Sequence, residues 1–275
     1  MQKIPSLKGD ELEPILLWSP QAFCGEDLLQ YLLCSSSNGI IFGAHIASDL
    51  AILHDLYVSR HRTSQECEGR RLQLPLTCQA IPDRPPNLNQ EILPDPGPYL
   101  GVIADSYINI LASCQDHANG IDRPVWGLSL PGWPVQRLEF FLTLIPGARI
   151  IIAHGDLLDA AAKAHAYGNL CGDQAVGNFL AIWQENMSAW QRKPPAPCVP
   201  SFHAQDFAVN PDAFCRSLSS ATGIAGIAAQ PASVGSVQTR IKNVFNRSEL
   251  AMIEAATASV LQATSATLGK GRLSA

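Results

Sequence analysis

Charged residues are scarce in this 275-residue chain, and basic residues are in the minority. Asp, Glu, Lys and Arg make up 16% of the sequence, with 19 Lys and Arg against 24 Asp and Glu and a formal net charge of −5. A protein that binds nucleic acid or anionic lipid through many phosphate contacts needs an excess of Lys and Arg. The composition therefore argues against both kinds of partner.

Long apolar segments are also missing. No stretch reaches the roughly 18 uninterrupted apolar residues of a membrane-spanning helix. The N-terminal segment from Met1 to Glu11 lacks the apolar core of a signal peptide. We therefore expect a cytoplasmic protein with no transmembrane segment.

Paired cysteines are absent. The chain has eight cysteines, and no two of them form a Cys-x-x-Cys motif. This absence argues against a structural zinc and against a redox dithiol. We expect free, buried thiols that pack as small apolar groups.

Apolar runs that alternate with helical periodicity predict an α/β fold. With 47% hydrophobic residues the chain can bury a large core. Predicted strands cover Ile15 to Trp18, Ile40 to Gly43, Val125 to Leu130, Arg149 to Ala153 and Val199 to His203. Predicted helices cover 26–33, 46–58, 99–114, 135–145, 159–166, 175–190, 211–219 and 248–264. Such alternation favours a doubly wound, mainly parallel sheet flanked by helices, with Ile15 to Trp18 and Ile150 to Ala153 as neighbouring central strands.

One domain is expected to span residues 1–275, with two irregular parts. The segment 59–98 is polar and Pro-rich and is predicted to be an irregular insert that supplies a contact surface. Residues from about 265 to 275 are predicted to be a frayed tail, although Gly269 to Arg272 faintly resembles a basic segment that covers a nucleotide phosphate in the family named below.

The middle of the chain carries a recognisable order of motifs. Gly127-Leu-Ser-Leu-Pro131 is followed by an amphipathic helix, and Pro146-Gly-Ala-Arg149 then leads into the apolar run that ends at Ala153. This order resembles the sulfotransferase family, in which a Lys-x-Pro strand end, a helix and a Phe-Pro-x-Ala-Arg segment precede a central strand. Phe179 to Trp190 and Ser201 to Asp212 are similar to later segments of that family.

The first loop of the chain extends the resemblance. Cys24-Gly-Glu-Asp-Leu-Leu-Gln-Tyr-Leu-Leu33 is similar to the family pattern Ser-Gly-Thr-Thr-Leu-Leu-x-x-Leu-Leu. In all, the likeness covers roughly residues 14–58 and 99–226. It implies a fold like that of P-loop NTPases and an activity that transfers a sulfuryl group from 3′-phosphoadenosine-5′-phosphosulfate (PAPS) to a hydroxyl or an amine.

The positions that would bind PAPS lack the basic and hydroxyl residues that the family has there. A polyanionic donor needs Lys, Arg, Ser and Thr beside backbone N–H groups. At the loop positions that correspond to the family's basic residue and Ser-Gly-Thr-Thr, only the glycine is retained. These positions are Phe23, Cys24, Gly25, Glu26 and Asp27. Acidic residues also suit the first turn of a helix, so we expect the carboxylates to occupy the anion site themselves.

The second and third basic positions are altered as well. The family's Arg-Asp-Pro-Arg segment, which binds the 3′-phosphate, is replaced here by His154-Gly-Asp-Leu157, and Lys163 lies near the position of the family's serine. His154 and Lys163 are the remaining candidates for phosphate binding. His154 could equally be a hydrogen-bonded structural residue. At the third position Ser129 stands where the family has a lysine.

Other candidate residues are fewer. If catalysis persists, His45, Asp49 or His117 could activate the acceptor as a general base. His54 and His61 have no carboxylate at a metal-ligand spacing, so we expect no metal site. Arg60 to Arg62 form part of a local basic cluster, which is most simply a solvated face.

Two functional hypotheses remain. The first is a catalytically degenerate sulfotransferase-like protein without a cofactor, which serves as a structural or regulatory subunit with a protein partner or in a homo-oligomer. The alternative is a divergent active sulfotransferase that uses PAPS. The sequence identifies neither an acceptor nor a partner.

Overall fold

The computed structural model describes residues 11–71, 96–195, 199–228 and 244–271. The five strands of these segments are β1 (Ile15–Ser19), β2 (Gly39–Phe42), β3 (Val125–Pro131), β4 (Arg149–His154) and β5 (Ser201–His203). The helices of these segments are α1 (Glu26–Cys34), α2 (Ala44–Arg71), α3 (Pro96–Gly120), α4 (Val135–Leu144), α5 (Leu157–Ala166), α6 (Asp173–Arg192), α7 (Ala204–Val209), α8 (Pro211–Thr222) and α9 (Arg247–Gly271).

The strands form one sheet in the order β2-β3-β1-β4-β5, and every pair is parallel. β1 lies at the centre and pairs with β4, with Leu16 opposite Ile150. The prediction that these two runs are neighbouring central strands is confirmed. All five residues of β1 are buried, as expected of a parallel strand that is covered on both faces.

Alternate residues of β1 face two separate cores. Leu16 and Trp18 pack with α2, α3 and α4, whereas Ile15 and Leu17 pack with α1 and α8. A third apolar cluster joins α5, α6 and α9. The sheet therefore has helices on both faces, which confirms the doubly wound α/β architecture in its coarse form.

The segment 59–98 differs from the prediction where it is described. Helix α2 continues to Arg71, and α3 begins at Pro96. The prediction of an irregular insert was therefore wrong for residues 59–71, and residues 72–95 lie outside the described part of the chain. Ser59 to Arg62 are exposed on α2, so they show no apolar periodicity that could have indicated a helix.

The C-terminal helix is also longer than predicted. α9 runs to Gly271, whereas a frayed tail was expected from about residue 265. Residues 272–275 are not among the described ones. Asn246 and Glu249 start α9 with a reciprocal capping pair, in which each side chain accepts the backbone N–H of the other residue at 2.9 Å and 2.8 Å. None of the described helices is long and apolar enough to cross a bilayer.

Candidate functional site

The loops after β1 and β4 meet at the point where the sheet changes its winding direction. From β1 the chain crosses towards the edge of the sheet that β2 forms, and from β4 it crosses towards the opposite edge, which β5 forms. In doubly wound sheets the crevice outside the carboxyl ends of two such strands is the usual ligand site. The structure therefore brings the predicted residues of the first loop and of the second loop to one place.

Glycines allow the two loops to touch through their backbones. A Cβ atom on Gly25 would lie 2.8 Å from the carbonyl oxygen of His154, and one on Gly155 would lie 2.9 Å from the carbonyl carbon of Cys24. Gly25 also has φ of 96°, in the region that side chains disfavour. The one residue of the family pattern that the first loop retains is thus required by the packing of the loops.

Polar side chains that the sequence analysis overlooked fix the first loop. Gln21 uses its side-chain oxygen to accept the Ala22 N–H at 2.8 Å and its Nε2 to donate to the Phe179 carbonyl on α6 at 3.0 Å. Asn186, also on α6, donates to the Pro20 carbonyl at 2.8 Å. Both side chains are buried. An amide on the otherwise apolar face of α6 was the signal that could have identified Asn186, whereas no helix pattern marks Gln21, which lies in the loop.

Glu26 fills the first loop with its own side chain. The residue is only 6% exposed, and Oε1 accepts the Phe23 N–H at 2.5 Å. Oε2 is buried and finds no hydrogen-bond partner in the described part of the chain. The Ser19 hydroxyl lies near this carboxyl but donates to the Gln21 carbonyl at 2.9 Å. Phe23 holds φ of 68°, which points its N–H at the carboxyl group of Glu26.

Burial dominates the proton affinity of Glu26. It is the largest of the effects that together raise the pKa of the carboxyl group to about 7. The backbone N–H groups of Phe23 and Glu26 and the nearby Ser19 hydroxyl lower this pKa, and the negative charge of Asp27 raises it. A position at a helix N-terminus would by itself favour the ionised form. Here the loss of solvent is the larger effect.

Asp27 neutralises the cation that was expected to reach the site. Lys163 Nζ lies 2.8 Å from Asp27 Oδ2, and the side chains are 30% and 46% exposed. A pair this exposed is worth at most about 1 kcal/mol. Lys163, which was predicted as a candidate for binding the 3′-phosphate, contacts this carboxylate in the first turn of α1.

The second loop is capped in the same manner. Asp156 Oδ1 accepts the N–H groups of Leu158 and Asp159, at 2.8 Å and 3.1 Å, at the N-terminus of α5. These are donors that a bound phosphate would otherwise use. A carboxylate from the chain thus occupies the start of α5, whereas Glu26 binds an N–H of the loop that precedes α1.

His154 offers no positive charge at neutral pH. Its ring stacks on that of His203 with centroids 4.9 Å apart. Burial, and secondarily the charge of His203, lower the pKa of His154 to about 4. His203 ends the predicted strand Val199 to His203. The pairing of β5 with β4 places it directly beside His154. At the third expected basic position, Ser129 is buried within β3.

Comparison with known proteins gave no relative. No protein-family model matches the chain, and no curated protein matches it. The likeness to sulfotransferases therefore remains a prediction that rests on the motifs and their order.

The candidate general bases lie near the edge strand β2. His45 and Asp49 are on α2, which begins directly after β2, and the His117 ring lies 6.0 Å from that of Phe42 at the end of β2. Within the described segments, no hydrogen bond or ion pair links either histidine to the loops after β1 and β4. The structure places them beside β2, which is two strands away from β1 in the sheet.

No metal site is found among the described residues, since no group of three His, Cys, Asp or Glu side chains could hold an ion. His54 instead joins Asp55 and Arg137, with Arg137 Nη2 2.7 Å from Asp55 Oδ1. The guanidinium carbon of Arg137 also lies 5.4 Å from the centre of the Trp133 ring. This cluster ties α2 to α4 and has a structural role.

Proposed function

We propose that this chain is a catalytically degenerate, sulfotransferase-like protein that acts as a structural or regulatory subunit of a larger assembly. Glu26 carries the proposal. Its buried carboxyl group accepts the Phe23 N–H inside the loop where the resemblance places the phosphosulfate of PAPS. The loop therefore contains a side chain in the volume that a donor would need.

The other donor-binding positions support the same conclusion. Asp156 caps α5, Asp27 pairs with Lys163, and His154 is neutral at neutral pH. Each change alone could be accommodated by a working enzyme. Together they mean that any cation in the described part of the crevice is already paired to a carboxylate.

Electrostatics makes donor binding unfavourable even if Glu26 moves aside. A carboxylate about 5 Å from one anionic oxygen repels it by roughly 3 kcal/mol at an effective dielectric constant of about 20. Asp27 follows Glu26 directly, so a donor in the loop would face two carboxylates. We expect an affinity lowered by ~10²-fold or more.

The test is a thermal melt with and without PAPS at pH 7.5. A ligand at 100 times its dissociation constant would stabilise the fold by about 2.7 kcal/mol, which raises the melting temperature by several degrees in a protein of this size. We expect no shift. A shift with PAPS that is reduced in His154→Ala or Lys163→Ala would show a working donor site and would overturn the proposal.

A contact surface is expected on α2 and α3. Ile52 on α2 is 67% exposed and Val102 on α3 is 62% exposed, although both helices pack against the sheet through other residues. Single exposed apolar side chains are common on protein surfaces, so the assignment of these two to a contact surface rests on the proposed role as a subunit. We propose that this helix pair is where the assembly forms.

Sedimentation velocity tests whether copies of the chain associate through this surface. We expect the wild-type chain to sediment as an oligomer and the double variant Ile52→Asp, Val102→Asp to sediment as a monomer. Val209→Asp on α7, where the valine is 84% exposed, is the matched control and should leave the oligomer intact. A wild-type monomer, or an oligomer that survives the double substitution, would contradict the assignment of this surface.

A further inference from the structure

The Glu26 carboxyl group accepts the Phe23 N–H at Oε1, and its own backbone N–H and the nearby Ser19 hydroxyl also favour its ionised form. Oε2 is buried and has no hydrogen-bond partner among the described residues. A buried polar oxygen without a partner is unfavourable, and it is far more so when it carries negative charge. The neutral acid can occupy this position at much lower cost than the carboxylate.

Solvent lies close to this position. Asp27, the next residue of α1, is 46% exposed, and Glu26 is in the first turn of the same helix. A rotation of the Glu26 side chain towards solvent would restore hydration to its carboxylate. It would also free the Phe23 N–H, which the left-handed conformation of Phe23 directs into the loop.

We propose that Glu26 is a proton-controlled latch on the loop after β1: the protonated side chain closes the loop, and ionisation releases it to solvent and exposes the Phe23 N–H in that loop. The latch uses the same loop as the proposed function. It does not depend on the loss of donor binding, because a released carboxylate remains beside Asp27 and still opposes an anionic donor.

The sign of the pH dependence follows from the two pKa values. In the loop the pKa of Glu26 is raised from 4.5 to about 7, so the closed form binds its proton more tightly than the released form. The contribution of Glu26 to the closed state is therefore full below pH 4.5 and is lost as pH rises through 7. Between pH 6 and 8.5 the ratio of closed to released loops should fall about tenfold.

The other charged or titratable groups described around Glu26 are few. Cys24, in the same loop, has its pKa raised by burial and by Glu26, so its thiol stays neutral over this range. Asp27 is paired with Lys163 from α5. His154 contributes its carbonyl oxygen to the contact with Gly25, and its lowered pKa keeps its ring neutral above pH 6.

Hydrogen exchange of the Phe23 amide tests the latch on the full-length chain without any ligand. We expect its protection factor, corrected for intrinsic exchange, to fall between pH 6 and pH 8.5 by up to about tenfold. In Glu26→Gln the side chain can accept the same N–H but cannot ionise, so protection should be constant. Asp27→Asn is the matched control: it removes a charge that raises the pKa of Glu26, so the step should persist with a lower midpoint.

Two results would overturn the latch. One is a protection factor in the wild type that does not change between pH 6 and 8.5, since the ionised carboxylate would then remain in the loop. The other is an equal fall in Glu26→Gln. If that variant does not fold, the carbon-13 shift of the Glu26 carboxyl group in the wild type decides, because a titration midpoint at the ordinary value of about 4.5 also contradicts the proposal. The PAPS melt tests the proposed function separately.

Discussion

Gly127→Ala is expected to destabilise the protein by about 3 kcal/mol or more, because overpacking against a rigid backbone has no inexpensive relief. Gly127 lies in β3 opposite Ile15 of β1. A Cβ atom there would lie 2.1 Å from the Ile15 carbonyl oxygen and 2.9 Å from its carbonyl carbon. β1 and β3 would have to separate, and β1 leads into the loop that the Glu26 side chain fills.

Chemical denaturation of the variant measures this effect as a lower free energy of unfolding. The matched control is Gly101→Ala, since Gly101 is exposed on α3 and has no atom within 4 Å of its would-be Cβ. Alanine is favoured over glycine inside a helix, so the control should gain about 0.5–1 kcal/mol. A Gly127→Ala variant that is as stable as the wild type would contradict the close approach of β3 to β1.

Trp18→Ala should lower the free energy of unfolding by about 3–5 kcal/mol, the range for removal of a large buried aromatic side chain. Trp18 is fully buried near the end of β1, and its ring stacks on Trp190 of α6 at 4.9 Å. Its Nε1 donates to the Trp133 carbonyl at 2.8 Å. The substitution would leave a cavity where the sheet, α6 and the loop before α4 meet.

Trp18→Phe separates the two contributions of this residue. Phenylalanine can still stack on Trp190, but the Trp133 carbonyl loses its buried donor, which costs about 1–3 kcal/mol. We therefore expect a stability between those of Trp18→Ala and the wild type, measured by the same denaturation experiment. A loss of less than about 1 kcal/mol in Trp18→Ala would contradict the packing described here.

The positions of the strands could be predicted from the sequence because buried parallel strands have a simple pattern. Ile15 to Trp18 and Ile150 to Ala153 are uninterrupted apolar runs, as strands covered on both faces must be. Helix positions followed from apolar periodicity where a helix packs on the sheet. Beyond Val58, α2 continues through exposed residues. The apolar pattern that predicts a helix ends there, although the helix itself continues.

The sequence by itself determined the parallel sheet, the place of the two loops and the acidic residues that follow the first of them, because apolar runs, turns and residue types can be read along the chain. It also predicted that these carboxylates occupy an anion site. Only the tertiary structure decided which of the two side chains enters the loop. Glu26 and Asp27 are adjacent, yet one is buried in the loop and the other pairs with Lys163 across 136 residues. The direction of a side chain and its loss of solvent depend on what packs around it, and so the raised pKa of Glu26 and the stack of His154 on His203 were decided by the fold.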